Sequence, residues 1–111
     1  MDEAVGMRKY TSDFNEINTM GYRIITARFS LGRIVATSGV IAMNLDLESL
    51  LRRHHCGDWG DLDDDDRRSN EAALIQGDRI LSHYRLAGGV RIYIITEHDR
   101  SSTCIMLREE Y

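Results

Sequence analysis

The hydrophobic and polar positions of the chain follow strand and helix periods from about residue 21 onwards, whereas residues 1–20 are polar and weakly patterned. Tyr22–Phe29 (YRIITARF) and Arg33–Thr37 (RIVAT) are rich in β-branched and aromatic residues, as strands are. We therefore expect the domain to begin with two strands behind a poorly patterned N-terminal segment.

Helices are predicted next. The apolar side of the first main helix has the spacing i, i+3, i+4 and i+7 and carries Leu47, Leu50, Leu51 and His54. Asp46 precedes this helix as a suitable N-cap, and Gly57 suits the left-handed residue that closes it. A shorter helix from Ser38 to Asn44, capped by the Ser38 hydroxyl, is predicted upstream.

The second main helix is predicted to begin within a run of aspartates. Asp61 is the expected N-cap, so that Asp63, Asp64 and Asp65 fall in the first turn, where carboxylates favour the positive helix end. The inner side is traced by Leu62, Asn70, Ala73, Leu74 and Gly77. The glycine also suits the helix end.

Three further strands are predicted at Arg79–Leu86, Val90–Glu97 and Thr103–Arg108, with the most apolar segment, Val90–Glu97, in the centre of the sheet. Their short connections predict antiparallel neighbours. The element order β-β-α-α-β-β-β indicates one α+β domain over residues 21–111, with an antiparallel sheet and two main helices packed on one face.

The net charge of −4 and the pI of about 5.5 disfavour a general nucleic-acid binder, which needs a basic surface to neutralise phosphates. We therefore expect no direct contact with nucleic acid. No apolar run approaches the length of a membrane span, and the acidic N-terminus lacks the apolar core of a signal peptide. These features predict a cytoplasmic protein with no membrane partner and with Cys56 and Cys104 reduced.

Metal-ligating residues occur without the spacing of a metal site. His54–Cys56 are adjacent donors, whereas structural zinc sites usually present paired ligands such as CxxC. A calcium loop that starts at Asp61 would put Asp66 where glycine is needed and Ala72 where the bidentate glutamate belongs. We predict no metal and no cofactor.

Trp59 lies among glycines and aspartates in the turn between the two main helices, and two interpretations are open. The commoner one is a ring that covers the helix junction. If Trp59 is exposed, it is an aromatic anchor within an acidic rim, which suits a basic protein partner. The predicted binding residues are Asp58, Trp59, Asp61, Asp63, Asp64 and Asp65. A basic partner is commonly itself a nucleic-acid-binding protein.

An enzymatic alternative uses Glu97, His98 and Arg100, which the segment TEHDR brings together at a strand end. Such a set can supply a base, an acid and a phosphate clamp for a small nuclease or toxin-like RNase. The competing interpretation is an ordinary charged turn, and the sequence predicts no complete catalytic set. A third hypothesis is a homodimer in which the apolar edge Thr103–Leu107 pairs with its copy.

The motifs GDWGDL, G-x-R-I-L-S-x-Y, G-x-R-I-Y-I-I-T-E-x-D-R-S and the final EEY, over Gly32–Tyr111, resemble an uncharacterised family of small proteins. That family is carried on bacterial plasmids, phages and genomic islands and is described as plasmid-related or restriction-system-associated. It has proline where this chain has Ser38 and Arg108. The resemblance implies a mobile-element protein that binds a host or element-encoded protein. An anti-defence inhibitor of restriction or CRISPR nucleases is the most specific form of this hypothesis.

Overall fold

A computed structural model describes residues 27–111. The weakly patterned segment 1–20 and most of the predicted strand Tyr22–Phe29 lie outside these residues. The described end of that strand, Ala27–Phe29, is not a strand.

The described chain forms four strands and three helices, which confirms the α+β class. They are β1 (Arg33–Ala36), α1 (Ser38–Ala42), α2 (Leu47–His55), α3 (Asp64–Gln76), β2 (Ile80–Arg85), β3 (Arg91–Thr96) and β4 (Ser102–Leu107). Short 3-10 turns follow β2 at Ala87–Gly89 and β4 at Arg108–Glu110. None of the helices in this part of the chain has the length and apolar character needed to cross a membrane.

The sheet has the strand order β1-β4-β3-β2 and is mixed, so the expectation of a purely antiparallel sheet is wrong. β2, β3 and β4 form the predicted antiparallel meander, whereas β1 pairs with β4 in parallel. Short connections predict antiparallel neighbours, but this does not apply to β1. Its partner β4 lies about seventy residues further along the chain, and no short connection sets the direction of pairing. The predicted dimer edge is also wrong, because β4 is paired on both sides.

Side-chain caps set the N-terminal ends of the helices, and one of the three predicted caps is confirmed whereas two are wrong. Asp46 caps α2 as predicted, since its Oδ1 accepts from the N–H of Ser49 at 3.1 Å. In α1 the cap is Thr37, not Ser38, and the Thr37 hydroxyl accepts from the N–H of Val40 at 3.2 Å.

The cap of α3 is Asp63, not Asp61. Its Oδ1 accepts from the N–H of Asp66 at 2.8 Å, so the first turn holds Asp64, Asp65 and Asp66. The predicted helix ends are confirmed, because Gly57 and Gly77 both have left-handed backbone conformations, with φ of 87° and 79°.

All three helices pack on one face of the sheet, which we call the first face. The larger core cluster joins this face to α1 and α2 and comprises Leu31, Val40, Leu50, Leu51, Tyr84, Ile92, Ile94 and Ile105. A smaller cluster of Trp59, Ala73 and Ile80 joins it to α3. The two clusters together form the packed layer that positions the loop between α2 and α3.

The opposite face of the sheet, which we call the second face, carries the alternate side chains of all four strands. Its apolar members are Val35, Leu81, Tyr93, Ile95, Cys104 and Met106. Its polar members are Arg33, His83, Arg85, Arg91 and Ser102. Neither core cluster includes any of these side chains. Within residues 27–111, the second face is therefore a sheet surface without a helix packed on it.

Candidate functional site

The loop between α2 and α3 carries the tryptophan of the predicted binding surface. Trp59 is only 3% exposed and packs with Ala73 of α3. Its ring stacks on Phe29 with centroids 6.1 Å apart, and its Nε1–H donates to Glu71 Oε2 at 2.9 Å. Trp59 therefore covers the helix junction, and the alternative in which it is an exposed anchor for a partner is wrong.

The same loop closes the outer edge of β2. The N–H of His83 donates to the carbonyl oxygen of Trp59 at 3.2 Å, and the N–H of Asp61 donates to that of His83 at 2.6 Å. The N–H of Arg85 donates to Asp61 Oδ2 at 2.8 Å. The Asp61 carboxylate thus accepts a hydrogen bond from the backbone of the β2 edge, which explains why it does not cap α3.

Two further residues complete this edge. The Asn70 side chain donates to the carbonyl oxygen of Leu81 at 2.7 Å and accepts from the Leu81 N–H at 3.1 Å. Gly60 has φ of 77°, and a Cβ at this position would lie 2.1 Å from the carbonyl oxygen of His83. Only glycine lets the loop approach β2 this closely.

Asp58 also has a structural role. Its carboxylate forms an ion pair with Arg53 at 2.7 Å and accepts from the N–H of Gly60 at 3.2 Å. The hydrogen bond from Arg53 lowers the pKa of Asp58 from its ordinary value. The backbone carbonyl of Asp58 accepts from the Tyr84 hydroxyl at 2.6 Å, and burial raises the pKa of that phenol.

The remaining aspartates form an exposed group at the start of α3, which we call the acidic surface: Asp63, Asp64, Asp65 and Asp66. Asp63 caps the helix and Asp65 forms an ion pair with Arg68. Among the described contacts, the carboxylates of Asp64 and Asp66 have no hydrogen-bond partner. Of the predicted acidic binding residues, Asp64 is therefore the one with least involvement in the fold.

The alternative catalytic residues lie together in the turn after β3, but Arg100 is not available as a phosphate clamp. Its Nη1 lies 2.6 Å from the carbonyl oxygen of Asp78, 3.1 Å from that of Glu97 and 3.2 Å from that of His98. Its Nη2 donates to the carbonyl oxygen of Ala73 at 3.0 Å. The guanidinium thus ties the end of α3 to the turn, and the hypothetical nuclease lacks its phosphate-binding group.

Replacing Arg100 with alanine is expected to destabilise the fold by about 2 kcal/mol, because it leaves the carbonyl groups of Ala73 and Asp78 without a charged donor. Urea unfolding followed by Trp59 fluorescence measures this change. Arg108→Ala is the matched control, since its exposed side chain makes no described contact and its loss should cost less than about 0.5 kcal/mol. Equal stability of the two variants would contradict a structural role for Arg100.

A chain of buried polar side chains crosses the first face. His54 Nδ1 lies 2.6 Å from Ser82 Oγ, and His54 Nε2 lies 2.9 Å from Thr96 Oγ1. Thr96 Oγ1 lies 2.7 Å from Thr103 Oγ1, which donates to the carbonyl oxygen of Leu31 at 2.7 Å. All four side chains are completely buried, so each hydrogen bond counts towards stability.

The carbonyl group of Leu31 determines which group donates in each of these hydrogen bonds. A carbonyl only accepts, so the Thr103 hydroxyl donates to it and must accept from Thr96. Thr96 has then used its proton and accepts from Nε2–H of His54. Burial, followed by the nearby charge of His55, lowers the pKa of His54 to about 3, so the ring is neutral and its Nδ1 accepts from Ser82.

A row of three arginines lies beside His83 on the second face. Arg85 and Arg91 are directly opposite each other in the register of β2 and β3, and Arg108 begins the 3-10 turn that directly follows β4. No carboxylate within residues 27–111 forms an ion pair with any of the three. After burial, their positive charges are the main cause that lowers the pKa of His83.

Aromatic rings lie beside this row. Tyr93 is half-buried and makes an edge-to-face contact with His83, with ring centroids 5.2 Å apart. Tyr111 also makes an edge-to-face contact with Tyr93, with ring centroids 5.5 Å apart, and is 70% exposed. The second face therefore combines an apolar centre, two tyrosines and a concentration of positive charge.

Sequence reasoning missed this surface, although a signal for it was present. In β3 the alternate positions Arg91, Tyr93 and Ile95 belong to one face, and the same alternation puts Leu81 and Arg85 on that face in β2. The arginines become a cluster only once the register is known, because they come from separate strands. The sequence placed His54 on the apolar side of its helix, but it did not indicate the hydrogen-bond partners of His54, because these residues are far apart along the chain.

The predicted metal-ligating and acidic residues do not converge on a metal site. Within the described part of the chain, no group of three or more His, Cys, Asp or Glu side chains is arranged to hold a metal ion. No disulfide joins Cys56 to Cys104. Comparison of the chain with models of protein families, with curated proteins and with solved structures finds no match.

Proposed function

We propose that the protein is a non-enzymatic binding module and that the second face is its principal contact surface. The observation that carries this proposal is a set of exposed arginines, Arg85, Arg91 and Arg108, beside the apolar residues of a sheet face on which no helix of residues 27–111 packs. Arg100, the phosphate clamp of the alternative nuclease hypothesis, instead donates to the carbonyl groups of Asp78 and Ala73.

The composition of the second face suits recognition. Contact surfaces are enriched in tyrosine, methionine and arginine, and their centres are depleted of aspartate and glutamate. On the second face, Tyr93 and Met106 are opposite each other in the register of β3 and β4. The neighbouring pair Ile95 and Cys104 extends the apolar centre. The strands hold these side chains on a rigid platform, which reduces the entropy lost on binding.

The acidic surface is a second candidate contact, for a basic protein. Asp64 and Asp66 favour it, because both are exposed on a rigid helix and neither carboxylate has a described partner. The resemblance to proteins of plasmids, phages and genomic islands supplies the setting for both contacts. We propose that the protein acts in the cytoplasm on a host or element-encoded component, with inhibition of a defence nuclease as the most specific form.

Val35→Glu should abolish capture of the partner, lowering the recovered amount at least tenfold, because it puts a charge on the second face. The measurement is a pull-down with chemical cross-linking from cells that carry the gene, using variants shown to be folded by circular dichroism. Ile75→Glu is the matched control, since Ile75 is 88% exposed on α3, away from the second face. Equal capture by Val35→Glu and Ile75→Glu would contradict the proposal.

The same experiment compares the two surfaces. A double variant, Asp64→Lys with Asp66→Lys, tests the acidic surface, and Asp78→Lys provides a charge reversal beyond the other end of α3. Loss of the partner from the double variant alone would transfer the binding role to the acidic surface.

A further inference from the structure

We propose that the second face binds single-stranded nucleic acid, with bases stacked on Tyr93 and Tyr111 and phosphates held by Arg85, Arg91 and Arg108. This inference rests on the proposed function, because it assigns a ligand to the same surface. The bound strand would run across β2, β3 and β4 beside the row of arginines.

The positive charges of the arginine row would be stabilised by a bound anion. Like charges directly opposite each other on neighbouring strands destabilise a sheet, and Arg85 and Arg91 are such a pair. Arg108 adds a third positive charge, and no carboxylate of the described chain is paired with any of them. A strand of phosphates would convert this repulsion into attraction, and guanidinium groups match phosphate oxygens in geometry.

The aromatic residues favour nucleic acid over other polyanions. The Tyr93 ring makes edge-to-face contacts with the rings of His83 and Tyr111, so its position is set before a ligand arrives. Tyr111 is largely exposed and offers a second ring beside the first. Every base has a face that can stack on such rings, and stacking beside positive charge is how many sheet surfaces bind single strands.

The arrangement favours a single strand over a duplex. Bases in a duplex are stacked on each other and cannot reach the Tyr93 ring, whereas the bases of a single strand are free to do so. The net charge of −4 gave the opposite expectation because it averages over the whole chain. The acidic surface belongs to α3, which packs on the first face, so its charge and that of the arginine row are in different layers.

Fluorescence anisotropy with labelled 15-nucleotide single strands of RNA and of DNA tests the inference, with a 15-base-pair duplex as comparison. We expect the full chain to bind one or both single strands more tightly than the duplex. Three phosphate contacts predict a slope of log affinity against log salt of about −2. The RNA and DNA arms show whether the 2′-hydroxyl contributes.

Variants of the second face give the specific test. Tyr93→Leu should weaken binding about tenfold, while Tyr93→Phe, which keeps the ring, should bind like the parent. Arg91→Ala should weaken binding about fivefold and make the salt slope shallower. Arg68→Ala is the matched control on α3 and should leave binding unchanged. Equal affinities for Tyr93→Leu, Arg91→Ala and Arg68→Ala would overturn the inference, because binding would then be unspecific.

Failure of this inference is distinguishable from failure of the proposed function. If no oligonucleotide binds at about 100 μM in low salt while Val35→Glu still abolishes partner capture, the nucleic-acid inference falls and the binding face stands. If sedimentation shows a dimer that Val35→Glu dissociates, a second copy occupies the face and the inference also falls. If Val35→Glu leaves partner capture unchanged and no oligonucleotide binds the parent protein, both proposals fall.

Discussion

Gly60→Ala is expected to destabilise the protein by about 4 kcal/mol, which is most of the stability of a domain at the lower end of the ordinary range of about 5–15 kcal/mol. The added methyl group would lie 2.1 Å from the carbonyl oxygen of His83 and 2.6 Å from the Tyr84 ring. To relieve the contact, the loop must retreat from β2. The hydrogen bonds that join Trp59 and Asp61 to that strand would then be lost. Urea unfolding followed by Trp59 fluorescence, or thermal unfolding by circular dichroism, measures the effect.

The control for this prediction is Gly88→Ala. Gly88 has the same φ of 77°, but a Cβ there meets no atom within 4 Å. This variant should therefore cost only the strain of a left-handed residue, about 1 kcal/mol. Similar losses for the two variants would mean that the close approach to β2 adds nothing and that the conformational cost alone requires glycine at residue 60.

Acid should destabilise the fold well before its carboxylates are protonated. His54 has a pKa of about 3 in the folded chain and an ordinary pKa of 6.5 when unfolded. The unfolded chain thus binds more protons below pH 6.5, and stability falls as the pH decreases. Between pH 6.5 and 4.5, His54 alone should reduce the folding equilibrium constant about 50-fold, because the slope approaches tenfold for each pH unit once the pH is below 6.5. Urea unfolding at a series of pH values measures this slope.

The other groups with shifted pKa values determine the pH interval in which this test reports on the histidines. Burial lowers the pKa of His55 and His83, so both add to the slope in the same direction. The hydrogen bonds from arginines lower the pKa of Asp58 and Glu71, and their contribution is lost only as the pH falls below about 4.5. The interval from pH 6.5 to 4.5 therefore reports on the histidines.

His54→Gln should flatten most of this pH dependence, because the amide cannot take up a proton in this range. It should also lower stability at pH 7, because a flexible amide replaces the rigid ring that holds the hydrogen bonds to Ser82 and Thr96. His83→Gln is the matched comparison and should remove a smaller part of the slope. A His54→Gln variant with the same slope as the parent would contradict the assignment of the buried neutral ring.

The elements with local causes could be predicted from the sequence. The apolar spacing of α2 and the Asp46 cap located that helix closely, and Gly77 located the end of α3. The cap of α3 was misplaced by two residues because Asp61 and Asp63 look equivalent in a run of aspartates. Only the position of β2 shows that Asp61 is occupied by the N–H of Arg85.

Features that depend on distant pairing could not be predicted. β1 joins β4 in parallel across most of the chain, and a pattern of alternate apolar residues does not name a partner strand. The second face became visible only when the register put Arg85 opposite Arg91. Burial of Trp59 likewise depends on Phe29 and Glu71, which are distant in sequence.

The closed edge of β2 limits how copies of this protein can polymerise. Fibrils grow by adding strands, and each new subunit must offer two free strand edges to continue the ribbon. Here the loop through Trp59 and Asp61, together with Asn70, occupies the β2 edge of the sheet. Within the described chain, only the edge of β1 therefore remains for strand addition. Two copies joined through β1 would present only closed edges, and growth by this route would terminate at a pair.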